Sequence, residues 1–114
     1  MIFWGVNYPS LPLNPKQLEK KYLSIIKEAV VASLKDDKVK IILFGSRARG
    51  DNNRCSDVDI GIIPFGKFKE ERITLLKEKV ENLNIPYKVE IVNLSEVSEE
   101  FKTEAMKDAV VWKD

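Results

Sequence analysis

The chain has 114 residues, of which 44% are hydrophobic and 32% are charged, with 19 basic and 18 acidic side chains. This is the size of one ordinary domain, and the balance of apolar and charged residues excludes a disordered chain. The formal net charge of +1 excludes a globally basic nucleic-acid-binding protein. We therefore expect a single folded domain over residues 1–114.

Histidine and cysteine are absent or nearly absent from the sequence, which limits the catalytic mechanisms and metal sites that the protein could use. Histidine is absent, which excludes Ser-His and Cys-His nucleophiles and any His-ligated zinc site. Cys55 is the single cysteine, which excludes an internal disulfide and suits a reducing compartment. No apolar run approaches the roughly 20 residues that span a bilayer. We expect a cytoplasmic protein without membrane association, whose chemistry uses carboxylates, Lys, Arg, hydroxyls or bound metal.

The first element predicted along the chain is a helix. Residues 1–14 are rich in Pro, Asn and aromatic residues and are predicted to form an extended lead-in. Asn14 is a favourable N-cap, Pro15 suits the first helical position, and Gln17 completes a capping box. Apolar residues then recur at intervals of three and four, which predicts a helix over 15–34.

Two short strands with a turn-rich connection are predicted next. Residues 39–44 are rich in β-branched side chains and end at Gly45, and residues 58–63 form a similar run before Pro64. Residues 50–56 between them are turn formers. Because this connection is too short for a crossover helix, we expect the two strands to be antiparallel neighbours.

The second half of the chain predicts further helices and strands. Helical spacing of apolar residues predicts an amphipathic helix over 68–83, and residues 87–94 predict a third strand. Ser95 is the expected cap of a last helix, and residues 109–112 predict either a terminal turn or a short strand. The predicted fold is therefore α+β, with a small mixed sheet flanked by helices.

A pair of aspartates opens the second predicted strand. Side chains alternate along a strand, so Asp57 and Asp59 face the same way, about 6–7 Å apart along the chain, while Val58 and Ile60 face the core. Two neighbouring carboxylates repel each other and need a neutralising charge. Mg²⁺ is the simplest candidate, because it binds through one or two carboxylates plus substrate phosphates.

The turn after the first strand has the features of a phosphate-binding loop. Gly45 permits close approach of a phosphate to the backbone, and the Ser46 hydroxyl adds a donor at the start of a short helical segment. We expect Arg47 to be exposed or to face a partner. For Arg49 two alternatives stay open, a phosphate contact and a structural ion pair.

A third acidic residue stands in the third predicted strand. Glu90 is the lone acid in an apolar stretch, where burial of an unpaired carboxylate would be costly. We predict that it is the third carboxylate of the site, acting as metal ligand or as base for an incoming hydroxyl. The alternative is an ion-pair partner on an edge strand.

Taken together, Gly45-Ser46, Ala48-Arg49-Gly50 and Ser56-Asp57-Val58-Asp59-Ile60 resemble the signature of the DNA polymerase beta-like nucleotidyltransferases. The small size and the arginine-rich loop resemble the minimal nucleotidyltransferase (MNT) proteins of prokaryotes. The resemblance covers roughly residues 16–112. It implies that Gly45 and Ser46 hold the triphosphate of ATP, and that Asp57, Asp59 and Glu90 bind Mg²⁺, with two ions. Family members often carry Asp where this chain has Glu90.

The resemblance also implies a partner. Many MNT proteins pair with a helical HEPN ribonuclease toxin and adenylylate a tyrosine on it. The implied function is Mg²⁺-dependent transfer of AMP from ATP to a hydroxyl of such a toxin, by an antitoxin in a hetero-oligomer. Two alternatives stay open: a catalytically weak, nucleotide-binding antitoxin that occludes its partner, and a nucleotidyltransferase acting on a small molecule or RNA. The near-neutral charge counts against RNA.

Overall fold

The computed structural model describes residues 13–114, so most of the predicted lead-in, including Trp4, lies outside the described residues. The described part forms alternating helices and strands around one sheet. In chain order these are α1 (Pro15–Ser33), β1 (Val39–Phe44), α2 (Ser46–Arg49), β2 (Val58–Pro64), α3 (Glu70–Glu81), β3 (Val89–Asn93), α4 (Glu99–Lys107) and β4 (Val110–Lys113).

Helix α1 begins where the sequence predicts. The Asn14 side chain accepts a hydrogen bond of 2.9 Å from the Gln17 backbone N–H, and the Gln17 side chain accepts one of 3.0 Å from the Asn14 N–H. This reciprocal capping box satisfies two donors that the first helical turn leaves unpaired. The apolar stripe of α1 buries Ile26 and Val30. Among the helices of residues 13–114, none is both long and apolar enough to cross a membrane.

The sheet is mixed, with strand order β3-β2-β1-β4. Strands β1 and β2 are antiparallel neighbours, which confirms the expectation from their short connection. Strand β3 runs parallel to β2 because α3 provides the crossover between them. Strand β4 pairs antiparallel with β1, so β3 and β4 are the two edges.

The two faces of the sheet are covered unequally. One face packs against α1 and α3 and forms the larger core, where Val58, Ile60 and Ile62 of β2 are fully buried. The other face carries a smaller cluster of Ile42, Phe44, Leu94 and Ala105, the last of which is on α4. Since α4 is short, it leaves the ends of β1 and β2 partly uncovered on this second face. The candidate active site lies at these uncovered ends.

The C-terminal part differs from the sequence prediction at one boundary. Ser95 does not cap the last helix, because its N–H and hydroxyl both donate to the Asn93 side chain, at 2.9 and 2.6 Å. The cap is Ser98, whose hydroxyl accepts a 3.1 Å hydrogen bond from the Phe101 N–H. Of the two alternatives for residues 109–112, the short strand is present as β4.

Candidate active site

The two aspartates lie at the start of β2, on the open face of the sheet. Asp59 pairs with Phe44 of β1 in the antiparallel ladder and with Glu90 of β3 in the parallel one. Asp57 immediately precedes the strand. Because side chains alternate, the fully buried Val58 and Ile60 point to the opposite core, as the sequence predicts. The strand thus directs its carboxylates away from the larger core.

Gly45 places the loop after β1 directly against Asp59. Its backbone has φ 79° and ψ −159°, a combination open essentially to glycine alone. A Cβ on Gly45 would lie 2.3 Å from the Asp59 Oδ2 atom, so any side chain there would collide with the carboxylate. Two parts of the sequence separated by 14 positions therefore meet at van der Waals distance, and glycine is the residue that allows it.

The short helix α2 begins at this contact. The N–H groups of Ala48 and Arg49 donate to the Gly45 carbonyl, each at 3.1 Å, and the turn closes at Gly50 in a left-handed conformation. The N–H groups of Ser46 and Arg47 precede this ladder and stay outside it, as in any first helical turn. These backbone donors directly follow Gly45 and its contact with Asp59, and together with the Ser46 hydroxyl they are of the kind that binds phosphate oxygens.

The charges nearest to Asp59 are mainly those of other carboxylates, with the Arg49 guanidinium acting against them. Partial burial raises the pKa of Asp59 above its ordinary value, and the neighbouring charges of Asp57 and Glu90 raise it further, against a lowering by Arg49. In residues 13–114, the ion pairs formed by Lys and Arg involve neither Asp57 nor Asp59. In this part of the chain the two aspartates therefore have no direct ion-pair partner, although Arg49 partly offsets the charge of Asp59.

Glu90 shares the register of Asp59 but has a partner of its own. The Lys88 ammonium lies 3.0 Å from the Glu90 carboxylate, and the Glu90 side chain is 45% exposed on edge strand β3. Of the two alternatives for Glu90, the structure shows the ion pair on an edge strand, where the carboxylate is neither unpaired nor enclosed by apolar residues. The structure brings it near Asp59, while its role as ligand or base stays a prediction.

The two arginines of the loop have different environments. Arg47, expected to be exposed or partner-facing, is buried, and that expectation is wrong. Its side chain turns inward beneath the loop because Glu19 of α1 offers a carboxylate there. Glu19 was missed by the sequence analysis, since a single Glu on a helix is indistinguishable from a solvated one. Arg49 forms a half-exposed ion pair with Asp51, at 3.1 Å.

A divalent cation fits the donor chemistry of this site in part. Carboxylate oxygens are the ligands that Mg²⁺ prefers, and a cation would offset the repulsion that Asp57 and Glu90 add to the effect of burial on Asp59. Within residues 13–114, however, no three His, Cys, Asp or Glu side chains already converge as a metal-binding group. Asp57 and Asp59 are thus the residues suited to hold an ion, with the remaining ligands to come from substrate oxygens, water or a shift of Glu90.

The site is open rather than enclosed. A cleft of about 580 Å³ lies behind the loop, between the start of α1 and residues 50–54, and is lined by Arg47 and Tyr87 rather than by the aspartates. Beside the loop, the ring of Phe101 on α4 meets the Phe44 ring edge-on at 6.0 Å and remains 44% exposed. A substrate bound at Asp59 would therefore leave one side of the site open to a second molecule.

Comparison with known proteins agrees with this geometry. The sequence model of the family described as Polymerase beta, Nucleotidyltransferase matches residues 26–113, most of the chain. Among solved structures, a candidate minimal nucleotidyltransferase is 24% identical with a TM-score of 0.65, over 82% of this chain and 93% of that one. A sequence search of curated proteins returned no match.

Two further structural neighbours come from toxin–antitoxin complexes. A chain of one such complex with AMP-PNP is 22% identical with a TM-score of 0.60, over 75% of this chain and 71% of that one. A chain from the complex of tri-AMPylated HEPN toxin with MNT antitoxin of Shewanella oneidensis is 18% identical with a TM-score of 0.56, over 78% and 70%. At these identities the likeness is one of fold.

Proposed function

Because this chain belongs to the polymerase beta family of nucleotidyltransferases, we propose that it transfers AMP from ATP to a hydroxyl group of a partner protein. The proposed partner is a helical toxin of the HEPN type, with tyrosine as the acceptor, so that the chain acts as an antitoxin in a hetero-oligomer. Support for the partner comes from structural neighbours that belong to toxin–antitoxin complexes.

The contact between Gly45 and Asp59 is the observation that carries the proposal. It sets the free backbone donors at the start of α2 beside a carboxylate that forms no direct ion pair within residues 13–114. A triphosphate on the loop would therefore lie within reach of an ion on the aspartates, which is the juxtaposition that nucleotidyl transfer needs.

Each site residue has a part in the proposed reaction. Asp57 and Asp59 hold Mg²⁺, with Glu90 as third carboxylate, and Gly45 and Ser46 hold phosphate oxygens. Arg49 joins them by leaving Asp51, since an ion pair between half-exposed groups contributes at most about 1 kcal/mol. When bound, Mg²⁺ would supply neutralisation of the negative charge that develops on the phosphates.

The group transfer balances as a single displacement. The acceptor oxygen attacks the α-phosphorus of ATP, and the bond from that phosphorus to the bridging oxygen breaks. Pyrophosphate leaves with the electron pair of that bond. The proton of the acceptor hydroxyl passes to a site carboxylate, and Glu90 is suited to receive it because it is half-exposed at the register of Asp59.

A second candidate function is favoured by the state of Glu90. Because Glu90 is paired with Lys88, only two of the three proposed site carboxylates, Asp57 and Asp59, are outside an ion pair. Within residues 13–114, no three potential metal ligands converge. A weakly catalytic antitoxin that binds nucleotide and occludes its partner would need no more than this. The two candidates differ in whether neutralisation of the partner depends on ATP.

The test is incubation of the purified chain with α-labelled ATP, Mg²⁺ and the helical protein encoded beside it. We expect label on the partner, and its loss in Asp59→Asn. The matched control is Asp36→Asn, an exposed aspartate in the turn before β1, at the opposite end of that strand from Gly45. Transfer that persists in Asp59→Asn would overturn the assignment of the site. Neutralisation without ATP, unchanged in that variant, would favour occlusion.

A further inference from the structure

Arg47 is the one buried charged or polar residue among residues 13–114, although it belongs to a surface loop. Its side chain is 1% exposed. The guanidinium donates to the Glu19 carboxylate at 2.5 Å and stacks over the Tyr87 ring, 4.0 Å from the ring centroid. Tyr87 in turn meets Tyr22 of α1 edge-on at 5.8 Å. The loop is thus tied through one side chain to α1 and to the segment before β3.

The remaining donors of Arg47 hold the backbone directly before the aspartates. Its Nε and Nη2 atoms both donate to the Ser56 carbonyl, at 3.2 and 2.8 Å. Ser56 is the residue before Asp57, so the peptide plane that leads into Asp57 is fixed by the guanidinium. A planar fork that holds a carboxylate on one side and a carbonyl on the other is a task for Arg rather than Lys.

The rest of the loop is anchored at the same place. Asn52 donates to the same Glu19 oxygen at 2.5 Å, and the Asn53 N–H donates to the Ser56 hydroxyl at 3.0 Å. Glu19 therefore joins the loop at two points, one of them through Arg47. Since burial of an unpaired guanidinium is costly, loss of either the Glu19 carboxylate or the Ser56 carbonyl contact would destabilise this network.

From these contacts we propose that Arg47 is a positioning residue for the carboxylates. Clamped by Glu19 and Tyr87, it fixes the Ser56 carbonyl and so sets where Asp57 and Asp59 stand relative to the phosphate loop. This inference rests on the proposed function for its catalytic consequence. Its structural consequence, a cation site preorganised by a residue that touches neither cation nor nucleotide, is independent of the reaction.

The test compares Arg47→Lys with wild type by Mn²⁺ binding, followed by electron paramagnetic resonance, alongside thermal unfolding and steady-state kinetics. Lysine keeps a positive charge near Glu19 but cannot bridge it to the Ser56 carbonyl. We expect Mn²⁺ affinity to fall about 10-fold or more in the folded protein, as happens when outer ligand contacts are lost. In kinetics, kcat should fall by more than the KM for ATP rises.

The matched control is Arg72→Lys. Arg72 also bridges a carboxylate and a backbone carbonyl, those of Asp37 and Ser33, each through its Nη2 atom. These partners lie at the end of α1 and in the turn before β1, away from the aspartates. Because both bonds leave one nitrogen, a lysine ammonium can replace it, and we expect Arg72→Lys to keep wild-type Mn²⁺ affinity with at most a small fall in melting temperature. Glu19→Gln, with Glu28→Gln on the same helix as control, applies the same test if Arg47→Lys does not fold.

The outcomes separate the two proposals. A lower melting temperature with wild-type Mn²⁺ affinity, in whichever of Arg47→Lys and Glu19→Gln folds, would overturn the positioning role. Wild-type protein that binds Mn²⁺ but transfers no nucleotide would refute the proposed function. In that case the ratio of Mn²⁺ affinities between variant and wild type would still decide the role of Arg47.

Discussion

At the scale of single residues, the backbone conformation of Gly45 allows the phosphate loop to approach the Asp59 carboxylate closely. Its backbone lies in a region that costs other residues about 1–3 kcal/mol, and a Cβ would strike the Asp59 carboxylate. We therefore expect Gly45→Ala to destabilise the fold by more than 1 kcal/mol and to weaken Mn²⁺ binding at least about 10-fold. Urea unfolding and a Mn²⁺ titration of the folded variant measure the two effects separately.

Gly50 offers the matched control for that change. It also has positive φ, 85°, but a Cβ there would meet no heavy atom within 4 Å. Gly50→Ala should therefore lose about 1–2 kcal/mol of stability from backbone conformation alone and keep its affinity for Mn²⁺. Equal loss of Mn²⁺ affinity in both alanine variants would show that backbone strain, and not the collision with Asp59, disturbs the site.

Asp59 also carries a prediction about pH. A carboxyl whose pKa is raised in the folded state destabilises that state when ionised, and this cost is fully present above the folded-state pKa. The cost vanishes as pH falls below the unfolded value, about 3.9, where both states are protonated. Without divalent ions, Asp59→Asn should thus melt a few degrees higher than wild type at pH 7.

The gain should shrink as the pH is lowered toward 4, and scanning calorimetry across that range measures it. Asp36→Asn is again the control, since Asp36 is exposed and remote from the carboxylates. A stabilisation by Asp59→Asn that persisted unchanged down to pH 4 would contradict a cause in the ionisation of this group. A destabilisation at pH 7 would show that the aspartate contributes contacts beyond its charge.

At the scale of elements, local sequence signals predict the helices and strands well. Asn14 and Gln17 mark the start of α1, and the predicted bounds of β1, a run rich in β-branched residues, match the observed ones. The end of the chain was less predictable because Ser95 and Ser98 are both good caps in sequence. The Asn93 side chain, which engages Ser95, decides between them. The family resemblance carried by the loop and strand motifs is confirmed by the match over residues 26–113.

The site was predictable only as far as its residues belong to one stretch of chain. Alternation predicted Asp57 and Asp59 to face away from the core, and the observed register agrees for Asp59, whereas Asp57 precedes the strand. Burial of Arg47 and exposure of Glu90 depend on which strands and helices become neighbours. Nothing local in the sequence records that Glu19 lies beneath the loop or that β3 is an edge.

At the scale of the whole molecule, helices cover one face of the sheet and only part of the other. Helices α1 and α3 cover the face that holds the larger core, whereas α4 covers part of the face that bears the aspartates. Phe101 stays exposed at the margin of this open face. Such an arrangement suits an enzyme whose acceptor is presented by a second protein, because a partner surface would complete the site and exclude water from it.

Because the proposed ligands bind at this open face of the native state, they should raise the free energy of unfolding of the whole domain. A ligand that binds the native state at 100 times its Kd adds about 2.7 kcal/mol. For a domain of this size that corresponds to a rise in melting temperature of roughly 10 °C or more. We expect this rise with Mg²⁺ and a non-hydrolysable ATP analogue together, and a much smaller one with the analogue and EDTA. Differential scanning fluorimetry over a ligand series measures both.

Asp57→Asn separates specific binding from general charge effects in this experiment. It removes one proposed metal ligand while leaving Gly45, Ser46 and Arg49 in place, so Mg²⁺ should add much less to the stabilisation by the nucleotide in this variant than in wild type. Asp36→Asn should respond like wild type. A full Mg²⁺-dependent rise in Asp57→Asn would mean that ion binding does not depend on Asp57. The ion would then be held by the phosphates together with the remaining carboxylates, Asp59 and Glu90.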